Sequence, residues 1–532
     1  MKAQQPYRDE LAGDRRRTPS EGEFDEPILA ELFSVERLEQ HARSLAAAQT
    51  VTDAPQRGRD VHSRIADNGR VLVDSYRVLA RAIKDERSIT PAAEWLVDNF
   101  PIVDEQLREI RDDLPPTYYR QLPKLVDGPL AGYPRVIGIA WGYIAHTDSR
   151  FDPESLKRML RAYQEVQPLT IGELWAIAIS LRILLVENLR RMTEQIVRKR
   201  EARQLADELA DDLLGLGADG QDRAAASLRR LKRTTLPTAA RVQLFQRIRD
   251  LDPAATPALR WLEDLLAAQV TTAEEMVRLE HQQQAMMNVT VRNVIMSMRL
   301  ISWFDWAQLV EGVCAVDAVL SSRSAFADMD FTTRNRYRDA IEEIAHGSGR
   351  TEIEVATAAA EMAEAVPPAG DRAQLQSARQ RDPGYFLVSD GRPALESALG
   401  VRLRLTERLR RAFVNAAGIG YLSTIAVVTA AVLAISLLFA RDESTVGGLL
   451  VVVALALVPA SDLAIALVNR LVTRVLGPRP LSRLEFKDGV PVELRTLVVV
   501  PMLLTIEADV LAQVRGLEVH FLANRDGDVR FA

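Results

Sequence analysis

The side chains best placed by type to contact a ligand lie between positions 112 and 135. That segment holds five prolines (Pro115, Pro116, Pro123, Pro129 and Pro134), two glycines (Gly128 and Gly132), three tyrosines (Tyr118, Tyr119 and Tyr133) and the cations Arg120, Lys124 and Arg135. Long irregular connections are uncommon in compact domains and often functional. Two readings stay open. Tyr118, Tyr119, Arg120, Lys124, Tyr133 and Arg135 form a surface for a sugar or phosphate or for docking another domain, or a proline-stiffened strap packs its tyrosines on neighbouring helices. The run His146, Thr147, Asp148, Ser149, Arg150 follows and invites a catalytic reading, with Asp148 as one carboxylate of a carbohydrate hydrolase. Against it, Asp152 before Pro153 has the chemistry of a helix cap, which leaves the others as loop polar groups. The six histidines (His41, His62, His146, His281, His346 and His520) make no metal-ligand spacing with one another or with the single cysteine, so no metal site is expected. Cys314 sits among Val313, Ala315 and Val316, the setting of a small buried hydrophobe in a reducing compartment.

These residues must be positioned by helices. The chain has 532 residues, enough for several domains at about 100 to 200 residues each. Aromatics are only 6%, and the net charge of -6 from 67 basic and 73 acidic residues argues against a nucleic-acid binder. The first 26 residues carry Arg15, Arg16 and Arg17 with no apolar run behind them, so they read as a disordered leader rather than a secretory signal. Residues 27–400 read as one helical domain. Thr90 before Pro91 and Asp152 before Pro153 start helices. Thr170 with Glu173, Thr271 with Glu274, and Thr351 with Glu354 make capping boxes. Leu96, Phe100, Val103, Leu107 and Ile110 form one apolar stripe that Pro101 kinks or restarts. Leu174, Ala178, Leu181, Leu185, Leu189, Met192 and Ile196 form another on a helix of more than six turns. Met286, Met287, Met296 and Met298, at helical spacing, read as core. Residues 213–222 and 367–371 read as loops. The apolar run 136–145 is too short to span a bilayer and reads as closely packed soluble helix.

From Ala412 to Ala440 no residue is charged, and positions 420–440 make a helix of about 31 Å, the thickness of a bilayer core. A second apolar stretch, 444–469, follows the link Arg441, Asp442, Glu443, giving a transmembrane hairpin. Its interior Pro459 and Asp462 suggest that a new interfacial helix starts near Ser461 and continues to position 476. Arg402, Arg404, Arg408, Arg410 and Arg411 precede the hairpin, and Arg470, Arg474, Arg479, Arg483 and Lys487 follow it. The positive-inside rule then puts both flanks in the cytoplasm and the link outside.

Beyond the hairpin, from position 494, the pattern turns to α/β. Leu497 to Val500 reads as a strand buried on both faces, Thr505 with Glu507 and Asp509 opens a helix, and Val519 to Leu522 reads as a second strand. Strand, helix, strand is how an open nucleotide-binding sheet begins, with its ligand beyond the first strand near Pro501, Met502, Leu503 and Thr505. Completing such a fold needs at least about 100 further residues.

Six stretches resemble the N-terminal part of the cyclic β-1,2-glucan synthases of Gram-negative bacteria: 26–49 (EPILAELFSVERLEQHARSLAAAQ), 112–135, 146–191, 330–356, 459–473 (PASDLAIALVNRLVT) and 496–504 (TLVVVPMLL). The resemblance implies a multi-pass protein of the bacterial inner membrane and a glucosyltransferase that uses UDP-glucose and grows a glucan on itself. It also implies a GT-A catalytic sheet needing a divalent metal, Mg or Mn, and a phosphorylase-like region further on. The metal-binding acids and the catalytic base of that sheet are expected past Ala532. This chain alone is therefore expected to hold no catalytic residue and no cofactor, and to have as partners the membrane, the glucan chain and the remaining regions of the synthase. The fold class expected is mainly α: a helical domain, a two-helix hairpin, and the start of an α/β GT-A domain. A rival reading is a non-enzymatic, membrane-anchored helical adaptor.

Overall fold

A computed structural model describes residues 26–52, 60–85, 89–213, 236–249, 272–367, 379–403, 405–440, 446–475, 481–486, 489–501, 506–524 and 527–532. All but the last residue of the expected leader, the Arg441 to Glu443 link and most of the two expected loops lie outside them. The chain divides into two compact units, Met1–Cys314 and Ala315–Ala532.

The first unit is built around one long helix. Its elements are α1 (Val35–Ala48), β1 (Val51–Thr52), α2 (Val61–Lys84), α3 (Pro91–Asp98), α4 (Phe100–Asp113), α5 (Pro116–Gln121), β2 (Lys124–Leu125), α6 (Arg135–His146), α7 (Pro153–Gln164), α8 (Ile171–Leu213), α9 (Thr238–Ile248), α10 (Ala273–Trp303) and α11 (Trp306–Val313). Thr170 and Glu173 exchange side-chain and backbone hydrogen bonds at the start of α8, and the helix then runs 43 residues. It packs against α2, α4, α6, α9 and α10, so its first half is buried on nearly every side. A helix surrounded in this way cannot show a single apolar stripe; Glu187, Asn188 and Arg191 are as buried as Leu185 and Leu189.

Local chemistry sets the boundaries. Thr90 and Asp152 accept hydrogen bonds from the backbone N–H of Ala93 and Ser155, each ahead of a proline in the first turn. Pro101 restarts the helix: α3 ends at Asp98 and α4 begins at Phe100. The cap of α10 is one residue later than the sequence suggested, since Thr272 accepts from the Glu275 N–H; Thr271 lies outside the described residues. The methionines on α10 divide, with Met298 buried and Met286 and Met296 exposed, so a core role holds for only part of that run. The apolar segment 136–145 is α6, buried against α8, and its glycines let α1 approach: a Cβ on Gly138 would stand 2.7 Å from Gln49 Nε2, and one on Gly142 3.1 Å from His41 Nε2.

His41 is thereby set edge-on against the stacked rings of Phe33 and His146, with centroids 5.7 and 4.7 Å away. Burial, reinforced by the neighbouring His146, pushes its pKa down to about 4. The folded protein therefore binds a proton at His41 less readily than the unfolded chain, so this site costs nothing above pH 6.5 and increasingly destabilises the fold as pH falls from 6.5 to 4.

The second unit begins with a small helical bundle: α12 (Ala315–Arg323), α13 (Phe331–Ser348), α14 (Glu352–Glu364), α15 (Pro383–Val388) and α16 (Arg392–Leu399). Arg338 is buried with Asp317, donating from Nε at 2.9 Å. Gly349, at φ 71°, ends α13, and Thr351 with Glu354 forms a reciprocal capping box on α14. Then come α17 (Leu405–Asn415), α18 (Ala417–Ala440) and α19 (Val446–Val475). The last two are long and apolar enough to cross a membrane, and they pack on one another. Almost nothing in their apolar windows is buried, unlike the core helix of a soluble protein. Ala460, Ala464 and Val468 fill the contact, and the Tyr421 hydroxyl donates to Asn469 Oδ1 at 2.7 Å. Pro459 sits inside α19 and no new helix starts after it, so the expected interfacial helix is the last part of the same rod.

The bundle grips both ends of this hairpin. Arg411 on α17 makes a paired contact with Glu396 on α16, at 2.5 and 2.8 Å, while Arg392 also donates to Glu396 at 2.8 Å. Burial alone would raise the Glu396 carboxyl, but the hydrogen bonds from Arg411 and Arg392 bring it below its usual range. After the hairpin, residues 483–485 pair with 328–330 through Asp330 N–H to Arg483 O (3.0 Å) and Glu485 N–H to Asp328 O (2.8 Å). The Arg483 N–H also donates to Thr333 Oγ1 at 3.0 Å.

The end of the chain is β3 (Thr496–Val498), α20 (Glu507–Ala523) and β4 (Val529–Phe531), with Thr496, Leu497 and Val498 opposite Val529, Arg530 and Phe531 in a parallel pair. A strand, helix, strand order was expected, but Val519 to Leu522 belongs to the helix, and the second strand is β4. Strand β3 is exposed rather than buried on both faces.

Two outcomes follow for stability. Replacing His41 with phenylalanine should flatten the acid limb of unfolding between pH 6.5 and 4, followed by thermal melts of the detergent-solubilised chain, by on the order of 2 kcal/mol at the acid end. Arg135, buried and paired with Glu173, should cost about 3–5 kcal/mol when replaced by alanine, because Glu173 is left as a buried uncompensated charge.

Candidate functional site

The proline-rich segment is ordered into short elements. It contains α5, and β2 pairs antiparallel with β1, Val51 opposite Leu125 and Thr52 opposite Lys124. Gly128 and Gly132, at φ 80° and 83°, turn the chain back so that Leu125 and Tyr133 are hydrogen-bonded at 2.9 Å. This turn lays Leu130 and Tyr133 over a cavity of about 40 Å³, walled by α2, α6 and α8. Its apolar side is Ile137, Trp141, Ile183 and Leu184, and its polar end is Arg64, Asn68, Glu187 and Arg191.

Glu187 is the hub of the polar end. It accepts from Arg64 at 2.6 and 3.0 Å, from Asn68 at 2.7 Å and from Arg191 at 2.7 Å. Burial alone would raise its pKa; the Arg64 hydrogen bond and the charges of Arg191 and Arg64 outweigh that and bring it down to about 2. A carboxylate so strongly held is unsuited to proton transfer near neutral pH. Arg191 lies with its guanidinium 5.2 Å from the Trp141 ring centroid and donates from Nη1 to the Glu26 carbonyl at 2.8 Å. Its Nη2 is buried and has no hydrogen-bond partner among the described residues. The space accommodates a few waters or a small anion and is far smaller than a sugar ring.

The residues singled out by sequence are dispersed around this site. Of the six, Tyr133 lines the cavity. The Tyr118 hydroxyl donates to Gly172 O at 2.5 Å, and Arg120 is exposed with Nε on Pro116 O at 3.2 Å. Tyr119, Lys124 and Arg135 are interior. Lys124 Nζ donates to the carbonyls of Tyr119, Arg120 and Leu122 at 2.9 to 3.2 Å, which satisfies the end of α5. Arg135 Nε donates to Glu173 Oε1 at 2.8 Å.

Asp148 is a buckle between α6 and α10. Asp148 and Ser149 both have left-handed backbones, φ 50° and 58°, unusual for residues with a Cβ. The Asp148 carboxylate accepts from Thr290 at 2.6 Å and Asn293 at 2.9 Å, and Ser149 is tied to Asn188 and Ser297. Burial raises the Asp148 pKa against those hydrogen bonds. Its oxygens are thus committed to holding α10 in place.

Sequence reasoning missed Arg64, Asn68, Trp141, Glu187 and Arg191. The signal was present as three charges, Glu187, Arg190 and Arg191, inside the apolar periodicity of α8, which is tolerable only where partners converge. At the other end of the chain, Pro501 follows β3 and is exposed, whereas Met502, Leu503 and Thr505 lie outside the described residues.

No protein-family model matches this chain. It is, however, 36% identical over 517 residues, 96% of its own length, to the cyclic beta-(1,2)-glucan synthase NdvB of Rhizobium meliloti (strain 1021). The chain is homologous to the N-terminal portion of a cyclic β-1,2-glucan synthase. It spans 18% of the length of that relative. The matched region takes in most of both units.

Glu187→Gln in this synthase relative should expose the role of the hub. The Glu187 contribution to stability is present above pH 4.5 and is lost as pH falls toward 2. At neutral pH the variant should be destabilised by about 3 kcal/mol in denaturant titrations, and the difference from wild type should shrink on acidification through that window.

Proposed function

We propose that this chain forms the N-terminal scaffold and membrane anchor of an inner-membrane, UDP-glucose-dependent cyclic β-1,2-glucan synthase. The observation that carries the reading is the extent of the likeness to the Rhizobium meliloti synthase, 517 residues running through both units. The helical regions position, α18 and α19 insert, and β3, α20 and β4 form the first crossover of a GT-A sheet. A parallel pair joined through a helix is the building block of such sheets. Leu497, Val498, Val499 and Val500 are uncovered, as strands are before neighbouring layers are added. In this reading Pro501, Met502, Leu503 and Thr505 are one wall of the nucleotide site, and the remaining glycosyltransferase and phosphorylase-like regions complete the protein.

The divalent metal of that chemistry finds no donor set here: among the described residues no three His, Cys, Asp or Glu side chains converge. Asp528, close to the strands, is engaged by Arg495 at 2.6 Å and Arg530 at 3.4 Å.

The sidedness proposed is cytoplasmic for both flanks. One bundle holds Arg411 before the hairpin and residues 483–485 after it, which supports a common side, and the arginine-rich flanks support the cytoplasm. To test the function, the matching region of the Rhizobium meliloti synthase is replaced by this chain, and membranes are given radiolabelled UDP-glucose. The chimera should make cyclic β-1,2-glucan. A chimera that inserts at the normal level, keeps its downstream regions folded and makes none would favour a separate adaptor role for this chain.

A further inference from the structure

We propose that the outer face of α10 is a membrane-docking surface that lays the first unit on an anionic bilayer. Leu279, Met286, Val289, Met296, Leu300 and Trp303 are all exposed, Trp303 to 88%. Their spacings of seven, three, seven, four and three keep them on one stripe, about 36 Å long at 1.5 Å per residue. Exposed apolar surface of this extent on a folded unit marks an interaction site.

The charge beside the stripe identifies the occupant. Arg278, Arg292 and Arg299 recur at intervals of fourteen and seven, so they line one edge, each exposed. Arg278 has Glu275 at 3.7 Å, Arg299 donates to Asn99 at 3.3 Å, and Arg292 lies 5.8 Å from the Trp95 ring centroid. The opposite edge has neutral Thr290 and Ser297, which hold the Asp148 and Ser149 loop. An apolar stripe of Leu, Met, Val and Trp with arginines along its border matches a bilayer interface, where Trp sits at the headgroups and Arg reaches anionic phosphates while its stem lies on apolar surface. A helical protein partner fits less well, because the exposed Gln282 falls on the line of the stripe and would be buried in a helix–helix seam. At an interface it meets headgroups and water. The inference rests on α18 and α19 spanning a membrane, which keeps the chain at a bilayer and raises the effective concentration of that surface.

The test uses the full chain with Cys314→Ser and a single spin label introduced through Met296→Cys. A second sample carries the label through Val427→Cys, on α18. Each is reconstituted in phosphatidylcholine vesicles, with and without phosphatidylglycerol, and also held in detergent. Accessibility to oxygen and to a water-soluble nickel chelate is read by electron paramagnetic resonance. The label at 296 should be open to the chelate in detergent, become shielded severalfold and oxygen-accessible in phosphatidylglycerol vesicles, and return to the chelate when Arg292→Glu and Arg299→Glu are added. Chelate access at 296 in anionic vesicles, with the label at 427 lipid-exposed, would overturn the proposal. So would shielding at 296 in detergent, which assigns the face to protein instead. Should the label at 427 itself be open to the chelate, the spanning hairpin fails and the docking surface with it.

Discussion

Glu396 carries the contact on which the arrangement of the second unit depends. Its carboxylate is buried, accepts from both terminal nitrogens of the Arg411 guanidinium and also from Arg392, so the helix leading into the hairpin is fixed at its base. An exposed ion pair is worth little, but a buried, bidentate one that loses a partner leaves a costly uncompensated charge. The return of the chain is secured differently, by backbone pairing of 483–485 with 328–330. Together they make a closed loop in the fold: bundle, α17, α18, α19, bundle. In the proposed membrane-spanning arrangement, this closure would bring both ends of the hairpin out on the side that holds the bundle.

The first unit solves a different problem. Its central helix α8 is covered on so many sides that charged positions cannot reach water, and each is matched by a converging partner. Glu187 meets Arg64 and Arg191, Glu173 meets Arg135, and Asn188 meets Ser149. These contacts tie α2, α6 and the Asp148 loop to one rod. They fix orientation as much as they add stability, since a buried charge accepts only the neighbours that neutralise it. The small cavity at Glu187 is the remainder of that packing, bordered by Tyr133 and Trp141.

What could be read from the sequence was whatever local chemistry decides. Thr90, Asp152, Thr170 and Thr351 carry their caps in their own neighbourhoods, and the apolar helices announce themselves by length. The misreadings occur where distant partners decide. Arg135 and Lys124 look like surface cations until Glu173 and three backbone carbonyls are brought to them. Met286 and Met298 have the same residue type on one helix, and only the placement of neighbouring helices separates an exposed face from a buried one. Val519 to Leu522 has strand-forming residues, yet a helix of 17 residues continuing through it wins. Pro459 looks like a boundary, but it removes only one backbone N–H from a helix of 30 residues, and the helix runs on.

The central claim is that the bundle clasps both ends of a membrane-crossing hairpin and so keeps the parallel strand pair on its own side of the bilayer. Single cysteines introduced through Ser397→Cys in α16, Gln513→Cys in α20 and Ser444→Cys between the apolar helices, each in a Cys314→Ser background, test it directly with a membrane-impermeant maleimide. In sealed vesicles of known orientation, positions 397 and 513 should react from the cytoplasmic side alone and position 444 from the opposite side alone. Reaction of 397 and 513 from opposite sides would contradict the account.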